Sequence, residues 1–191
     1  MNNKTKKITL IGVLSAMSAI LYLFPTFPIF PAFSWLEIDF ADIPALLAAV
    51  TVSPLAGGVI VLIRNTVHLA VSSTAMIGEL SNFLISFTFV CTTGFTYKLL
   101  AGSKPEGFGV KKVSASVFIG ALFQIVAAMA VNYFIMIPLY SAFVDFSEIG
   151  VAYYIFGGVL PFNAIKDAVA GIIYIIVGKY VFPVLERTLK A

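Results

Sequence analysis

Long apolar runs separated by short polar segments constrain this chain more than any other feature. A bilayer core about 30 Å thick needs about 20 helical residues to cross it. Only 11% of the 191 residues are charged, against roughly 25% in soluble domains. The composition therefore excludes an ordinary soluble enzyme and a disordered protein, and it predicts an all-α integral membrane protein. The apolar runs cover residues 8–24, 43–52, 55–71, 83–100, 113–137 and 153–181.

The second run is too short to cross a membrane alone, and its ends carry helix-start signals. Asp42 and Pro44 stand at its beginning, and Ser53 and Pro54 follow it. A capping side chain followed by a proline in the first turn favours the start of a helix. We therefore predict a short second helix, with Asp42 as its cap, and a third helix that begins at Pro54. The chain is then a single domain over residues 1–191, a compact bundle of six transmembrane helices.

The distribution of charge predicts the orientation of this bundle. Ten of the 12 basic residues fall on the N-terminus, the segments after the second and fourth helices, and the C-terminus. Basic residues accumulate on the cytoplasmic side of membrane proteins, so we expect both termini there. The basic segment that contains Lys104 follows from this topology, and no nucleic-acid partner is predicted. Acidic residues such as Glu37, Glu79 and Asp145 fall on the opposite side.

Cysteine and histidine, the residues that disulfides and many metal sites need, are scarce in this chain. The chain has one cysteine, Cys91, and one histidine, His68. This excludes an intrachain disulfide, a thiolate metal cage and a site with paired histidines. No phosphate-binding loop of the G-x-x-x-x-G-K-[ST] type occurs, so ATP hydrolysis would belong to partners. We predict no catalytic residues, no metal and no cofactor.

Strongly polar side chains inside the apolar runs are the candidates for a ligand site, because such groups are costly in a membrane. Asn163 and Lys166 are three residues apart and share one helix face. Pro161 precedes them and removes a backbone hydrogen bond. Asn132 lies at a comparable depth in the preceding helix. Two amides and an ammonium group can thus line a polar pocket, although bonds between helices are the alternative for the asparagines.

The remaining polar residues carry less information. Arg64 and His68 share a face of the third helix, and charge balance suggests Asp167 as a partner for Arg64. We assign no role to His68, and we expect Gln124 and Cys91 to be packing residues. The aromatic residues of segment 25–44, among them Trp35, belong either to a flexible loop that closes over a flat ligand or to an interfacial belt.

Two small residues on the first helix, Gly12 and Ala16, are four positions apart. Such spacing lets a second helix approach closely, although packing within the chain explains it equally well.

Several strings of the sequence resemble the substrate-binding S-components of energy-coupling factor (ECF) vitamin transporters. The family likeness begins with LEIDFADIPAL at 36–46 and SPLAG at 53–57. NYF at 132–134, PLY at 138–140 and PFNAIK at 161–166 resemble the riboflavin-specific members. Gly12 and Ala16 align with the Ala-x-x-x-Ala motif by which the family docks its scaffold subunit.

The resemblance implies a six-helix riboflavin-binding subunit of a prokaryotic cell membrane, with the vitamin near the outer face beneath the loop between helices 1 and 2. Its partners would be a transmembrane scaffold subunit and two cytoplasmic ATPases. We expect riboflavin to be a transported ligand rather than a cofactor. The substrate-binding residues expected from the resemblance and from polarity are Asn132, Asn163, Lys166, Asn82, Glu79, Asp42 and Tyr133.

Three other interpretations stay open from the sequence. A relative that binds thiamine or biotin would keep the architecture and change the ligand. A free-standing secondary transporter would need its own coupling-ion site and usually an internal repeat, and the sequence offers neither. An intramembrane hydrolase would need a nucleophile beside His68, and no pattern places one there.

Overall fold

The computed structural model describes residues 2–24, 26–72, 76–102, 108–141 and 146–190. Lys104 and Asp145, which the charge argument used, lie outside these ranges. The described chain is an all-helical bundle with one small hairpin. Its main helices are α1 (Asn3–Leu23), α2 (Asp42–Thr51), α3 (Pro54–His68), α4 (Ile77–Ala101), α5 (Val110–Val131) and α6 (Leu160–Lys190).

Five helical stretches of the described chain are long and apolar enough to cross a membrane, and the prediction of six spans therefore receives partial support. These stretches are Asn3–Leu23, Pro54–Val71, Ile77–Ala101, Val110–Tyr140 and Val151–Leu189. Helix α2 has 10 residues, about 15 Å of helix, and is too short to cross alone. Eight of its residues are buried, so α2 forms part of the bundle core.

The core centres on α2 and its neighbours. Helix α4 packs against α5 and α3, and α6 packs against α5 and α2. Leu46, Ile60, Phe89 and Val113 are fully buried where these helices meet. Close packing in this part sets the angles between the helices. The polar side chains gather at the other end of the bundle.

The predicted start of α3 is confirmed, whereas the predicted cap of α2 is wrong. The Ser53 hydroxyl accepts a hydrogen bond from the Ala56 N–H at 3.1 Å, and Pro54 is the first residue of α3. Helix α2 begins after Ala41 without a side-chain cap. The Asp42 carboxylate instead pairs with Arg64, because a buried charge gains more from an opposite charge than from a neutral N–H group.

Two π-helical segments interrupt the ends of the long helices. Asn132–Met136 follows α5, and Tyr154–Val159 precedes α6. A proline comes shortly after each segment, at Pro138 and Pro161. Proline lacks an N–H donor and its ring clashes with the carbonyl four residues earlier, so a wider turn relieves the contact. Such π-turns are frequent at functional sites.

Between α1 and α2 the chain forms a small hairpin, residues 26–41. Its strands β1 (Phe27–Pro28) and β2 (Glu37–Ile38) pair antiparallel, with Phe27 opposite Ile38. A short 3₁₀ turn, Pro31–Phe33, lies between them. The Phe33 side chain is only 2% exposed and contacts the ring of Tyr154 at a centroid distance of 5.4 Å. The hairpin is therefore anchored on the π-helical segment that precedes α6.

Candidate substrate-binding site

A cavity of about 250 Å³ lies between the hairpin and the helix ends next to it. The hairpin, the end of α1, the end of α3, the start of α4, and the parts of α5 and α6 that flank the π-helical segments all contribute side chains. Most of the lining residues are polar or aromatic. They include Tyr22, Trp35, Glu37, Asp39, His68, Glu79, Asn82, Gln124, Asn132, Phe162, Asn163 and Lys166.

A buried ion pair forms one side of this cavity. The Lys166 ammonium group donates to Asp39 Oδ2 at 2.7 Å, and the two side chains are 5% and 3% exposed. The other carboxylate oxygen, Oδ1, accepts from the Ala41 N–H at 2.9 Å. An ammonium group has three donors, so Lys166 can hold Asp39 and still donate to a ligand.

Asn132 and Asn163 line the cavity together, as the sequence predicted for two amides at the same depth. Each amide donates one N–H to the carbonyl four residues earlier, Asn132 to Ala128 and Asn163 to Val159, both at 2.8 Å. An amide nitrogen carries two N–H groups. The second N–H of each asparagine is therefore the group that can face a ligand.

Gln124 is a cavity residue that the sequence analysis assigned to packing. Its Nε2 donates to Asn163 Oδ1 at 3.4 Å. Its Oε1 is buried and has no hydrogen-bond partner among the described residues. A buried carbonyl oxygen without a donor is costly, so Gln124 Oε1 is an acceptor that a ligand N–H can use. Its polarity within an apolar run is the same signal that identified Asn132.

His68 and residues of α4 also line the cavity. His68 Nδ1 lies 2.9 Å from Glu79 Oε1, and the His68 ring lies 4.2 Å from the Tyr22 ring, measured between centroids. The structure thus places Glu79 and Asn82 in the cavity as predicted, and it adds His68, to which the sequence assigned no role. These side chains can donate to and accept from hydroxyl groups.

Arg64 pairs with Asp42 rather than with Asp167, which corrects the charge-balance prediction. Arg64 Nη2 lies 2.7 Å from Asp42 Oδ1, and the side chains are 0% and 1% exposed. The partners lie 22 residues apart on α2 and α3, so neither spacing nor composition identifies them. Asp42 does not line the cavity. The carboxylate oxygens of Asp167 are buried without a hydrogen-bond partner among the described residues.

Tyr133 also lies away from the cavity. Its side chain is 52% exposed, and its ring contacts the Phe134 ring at a centroid distance of 5.0 Å. One residue corresponds to about 100° of helix rotation, so Tyr133 points outward when the adjacent Asn132 points inward. The string NYF, which resembles the riboflavin-specific members, therefore includes one residue, Tyr133, that does not reach the cavity.

Three aromatic side chains complete the lining. Tyr22 comes from α1, Trp35 from the hairpin and Phe162 from α6. The Trp35 Nε1–H donates to the Tyr154 hydroxyl at 3.4 Å. Aromatic walls with a few placed polar groups are typical of small-molecule sites and suit a flat, partly polar ligand. The described residues contain no group of three or more His, Cys, Asp or Glu that could hold a metal ion.

Gly12 and Ala16, the predicted docking residues, lie on the exposed side of α1. A side-chain carbon built at Gly12 meets no atom within 4 Å. Packing inside the chain therefore does not explain the small size of Gly12. By contrast, the small residues Ser15 and Ala19 of the same helix are buried.

Comparison with known proteins agrees with this geometry. The family model for the substrate-specific component of ECF transporters matches residues 6–178. The riboflavin transporter RibU of Staphylococcus aureus (strain TCH60) is 29% identical over 80% of this chain and 78% of its own length. The riboflavin transporter FmnP of Bacillus subtilis (strain 168) is 28% identical over 98% of both chains.

A solved structure described as the S component of a bacterial ECF transporter superposes with a TM-score of 0.78 at 29% identity. The match covers 96% of this chain and 99% of the other. The family consists of transport components rather than enzymes, and its members are multi-pass membrane proteins, in line with the five long apolar helices. The chain therefore belongs to the substrate-specific components of ECF transporters.

Proposed function

We propose that this chain binds riboflavin in the cavity beneath the hairpin and delivers it for uptake as the S-component of an ECF importer. The relatives described as riboflavin transporters support this choice. The observation that carries it is the set of polar groups that line the cavity together, namely Lys166, Asn132, Asn163 and Gln124.

These groups complement the pyrimidine edge of a flavin, which presents an acceptor, a donor and an acceptor in a row. The spare N–H groups of Asn132 and Asn163 and the Lys166 ammonium group supply donors. Gln124 Oε1, buried and without a partner among the described residues, supplies the acceptor for the imide N–H. Each ligand group then meets a complementary protein group, which is what makes a polar site selective.

The other residues that line the cavity suit the tricyclic ring system and the ribityl chain of riboflavin. The rings of Trp35 and Phe162 provide apolar walls for the tricyclic ring system. Glu79, His68 and Asn82 also line the cavity, and they can bond the hydroxyl groups of a ribityl chain that lies beside them. In this orientation the hairpin covers the bound vitamin.

The proposal includes a membrane topology and partners. The short helix α2 serves as the sixth span within the bundle, and both termini lie in the cytoplasm of a prokaryotic cell. The cavity then opens at the outer face, because α1 ends and α6 begins beside it. A transmembrane scaffold and two ATPases supply the transport energy, and the exposed face at Gly12 and Ala16 docks the scaffold.

Titration of the purified chain with riboflavin, followed by quenching of flavin fluorescence, tests the function. Asn163→Leu removes the amide from the cavity, and we expect it to raise the Kd at least about 10-fold, because a polar ligand group loses its partner. Thiamine and biotin are titrated in parallel. Tight binding of either vitamin without flavin binding would overturn the riboflavin assignment and keep the family.

Asn65→Leu is the matched control. Asn65 is also 4% exposed, and its amide donates to the carbonyl four residues earlier at 2.8 Å, as that of Asn163 does. Asn65 does not line the cavity. We expect the control to leave the Kd within about 2-fold of the unmodified chain, a difference below 0.5 kcal/mol. Equal effects of the two substitutions would contradict the site assignment.

A further inference from the structure

The Tyr154 hydroxyl joins the hairpin to an amide of the cavity. It donates to Asn132 Oδ1 at 2.7 Å and accepts from Trp35 Nε1–H at 3.4 Å. Tyr154 is fully buried and does not line the cavity, whereas Asn132 and Trp35 both do. A group outside the cavity thus contacts two groups that form its wall.

This contact and the bond to the Ala128 carbonyl together hold the Asn132 amide in one orientation. Its Nδ2 donates to the Ala128 carbonyl at 2.8 Å, and its Oδ1 accepts from Tyr154. An amide can exchange the positions of its oxygen and nitrogen by rotating 180°. With a donor fixed at Oδ1 and an acceptor fixed at Nδ2, only one orientation satisfies both neighbours, and it leaves the second N–H for a ligand.

The Tyr154 ring is itself held firmly in place. It contacts the rings of Phe33 at 5.4 Å, Phe146 at 5.2 Å and Trp35 at 6.2 Å, measured between centroids. Tyr154 begins one π-helical segment and Asn132 begins the other. The hydroxyl therefore connects three parts of the chain that are distant in sequence: the hairpin and the two π-helical segments.

We propose that Tyr154 is a positioning residue that couples the seating of the hairpin to the orientation of the Asn132 amide. The proposal rests on the riboflavin function above, since it concerns the same cavity. When the hairpin is in place, Trp35 holds the Tyr154 hydroxyl. The hydroxyl in turn holds the Asn132 amide in the orientation that can bond a flavin. By reciprocity, a ligand bonded to that amide stabilises the seated hairpin.

Tyr154→Phe removes only the hydroxyl, and flavin titration measures the effect. We expect the riboflavin Kd to rise about 10-fold, since two neutral hydrogen bonds are lost, and the dissociation rate to increase more than the association rate decreases. Tyr153→Phe is the matched control, because Tyr153 is adjacent and 60% exposed. An unchanged Kd in Tyr154→Phe would overturn the coupling.

A double-substitution experiment separates positioning from packing. If Tyr154 acts through Asn132, adding Tyr154→Phe to an Asn132→Ala chain changes the Kd less than about 2-fold, because the group that it orients is gone. If the two effects multiply instead, Tyr154 acts independently of the amide and the proposal is overturned.

A third measurement needs no flavin, so it separates failure of this proposal from failure of the riboflavin assignment. Trp35 is the only tryptophan of the chain, and its fluorescence reports on the hairpin. In the ligand-free protein we expect acrylamide to quench Trp35 about 2-fold more in Tyr154→Phe, because the bond to the indole is lost. Tyr153→Phe should leave quenching unchanged. Equal quenching in all three proteins would show that the hydroxyl does not seat the hairpin.

Discussion

Two buried ion pairs lie near each other in the bundle and serve different purposes. Arg64 and Asp42 join α3 to α2, and Lys166 and Asp39 join α6 to the hairpin, each with an N–O distance of 2.7 Å. Both members of the second pair line the cavity, and neither member of the first pair does. Equal distance and similar burial therefore do not imply equal roles.

The difference lies in what can replace a lost partner. A charge beside a cavity can be met by water or by a ligand group, whereas a charge enclosed by protein has no substitute when its partner is removed. Arg64 and Asp42 accordingly belong to the framework that fixes α2 against α3. Lys166 and Asp39 line the cavity that we propose as the ligand site.

The largest effect on stability is expected from Arg64→Met. It leaves the Asp42 carboxylate buried without its cation and should lower the free energy of unfolding by about 3–5 kcal/mol. Denaturant-induced unfolding in detergent measures the loss. Arg187→Met is the control, because Arg187 is exposed on α6. The comparison of the two pairs breaks down if Arg64→Met destabilises the protein no more than Lys166→Met does.

Lys166→Met should chiefly affect binding. We expect the riboflavin Kd to rise about 100-fold, because a hydrogen bond from a charged group is lost, and stability to fall less than in Arg64→Met, because water in the cavity can hydrate Asp39. Flavin titration and unfolding are measured on the same preparation. Lys179→Met, at an exposed position of α6, should change neither quantity. Unaltered flavin affinity in Lys166→Met would remove the lysine from the site.

The smallest effects on stability and binding are expected from Asn82→Ala. This substitution probes the boundary between the Arg64–Asp42 pair and the cavity. Asn82 lines the cavity, and its Oδ1 accepts from Arg64 Nη2 at 3.3 Å. The substitution should lower the free energy of unfolding by about 1 kcal/mol and raise the Kd a few-fold. Ser81→Ala is the control that changes the cavity wall without touching Arg64. If Asn82→Ala alters only the free energy of unfolding or only the Kd, Asn82 belongs to one of the two regions and does not link them.

Local signals in the sequence predicted local structure well. Ser53 and Pro54 start α3 as expected, because a cap requires only neighbouring residues. Asn132, Asn163 and Lys166 meet in one cavity, because polar residues in apolar helices turn toward the bundle interior. Gln124 is polar, lies in an apolar helix and also lines the cavity, so it is a fourth residue with the same sequence signal.

Contacts between distant segments were the ones predicted incorrectly or not at all. Charge balance suggested Asp167 as the partner of Arg64, whereas the crossing of α2 and α3 selects Asp42. The contacts of His68 and Tyr154 are set in the same way by tertiary packing, because their partners lie on other parts of the chain. Each π-helical segment lies just before a proline that the sequence shows, but a proline kinks, ends or widens a helix according to its neighbours.

By itself the sequence determined that this chain spans a membrane as a helical bundle, where helix α3 begins, and which polar side chains must be sheltered from lipid. These properties follow from residue spacing along one helix and from the cost of placing polar groups in hydrocarbon. The tertiary structure alone decided which sheltered groups pair with one another and which are left to face the cavity. Helical periodicity orients a side chain only about its own axis, whereas partners are set by how separate helices cross.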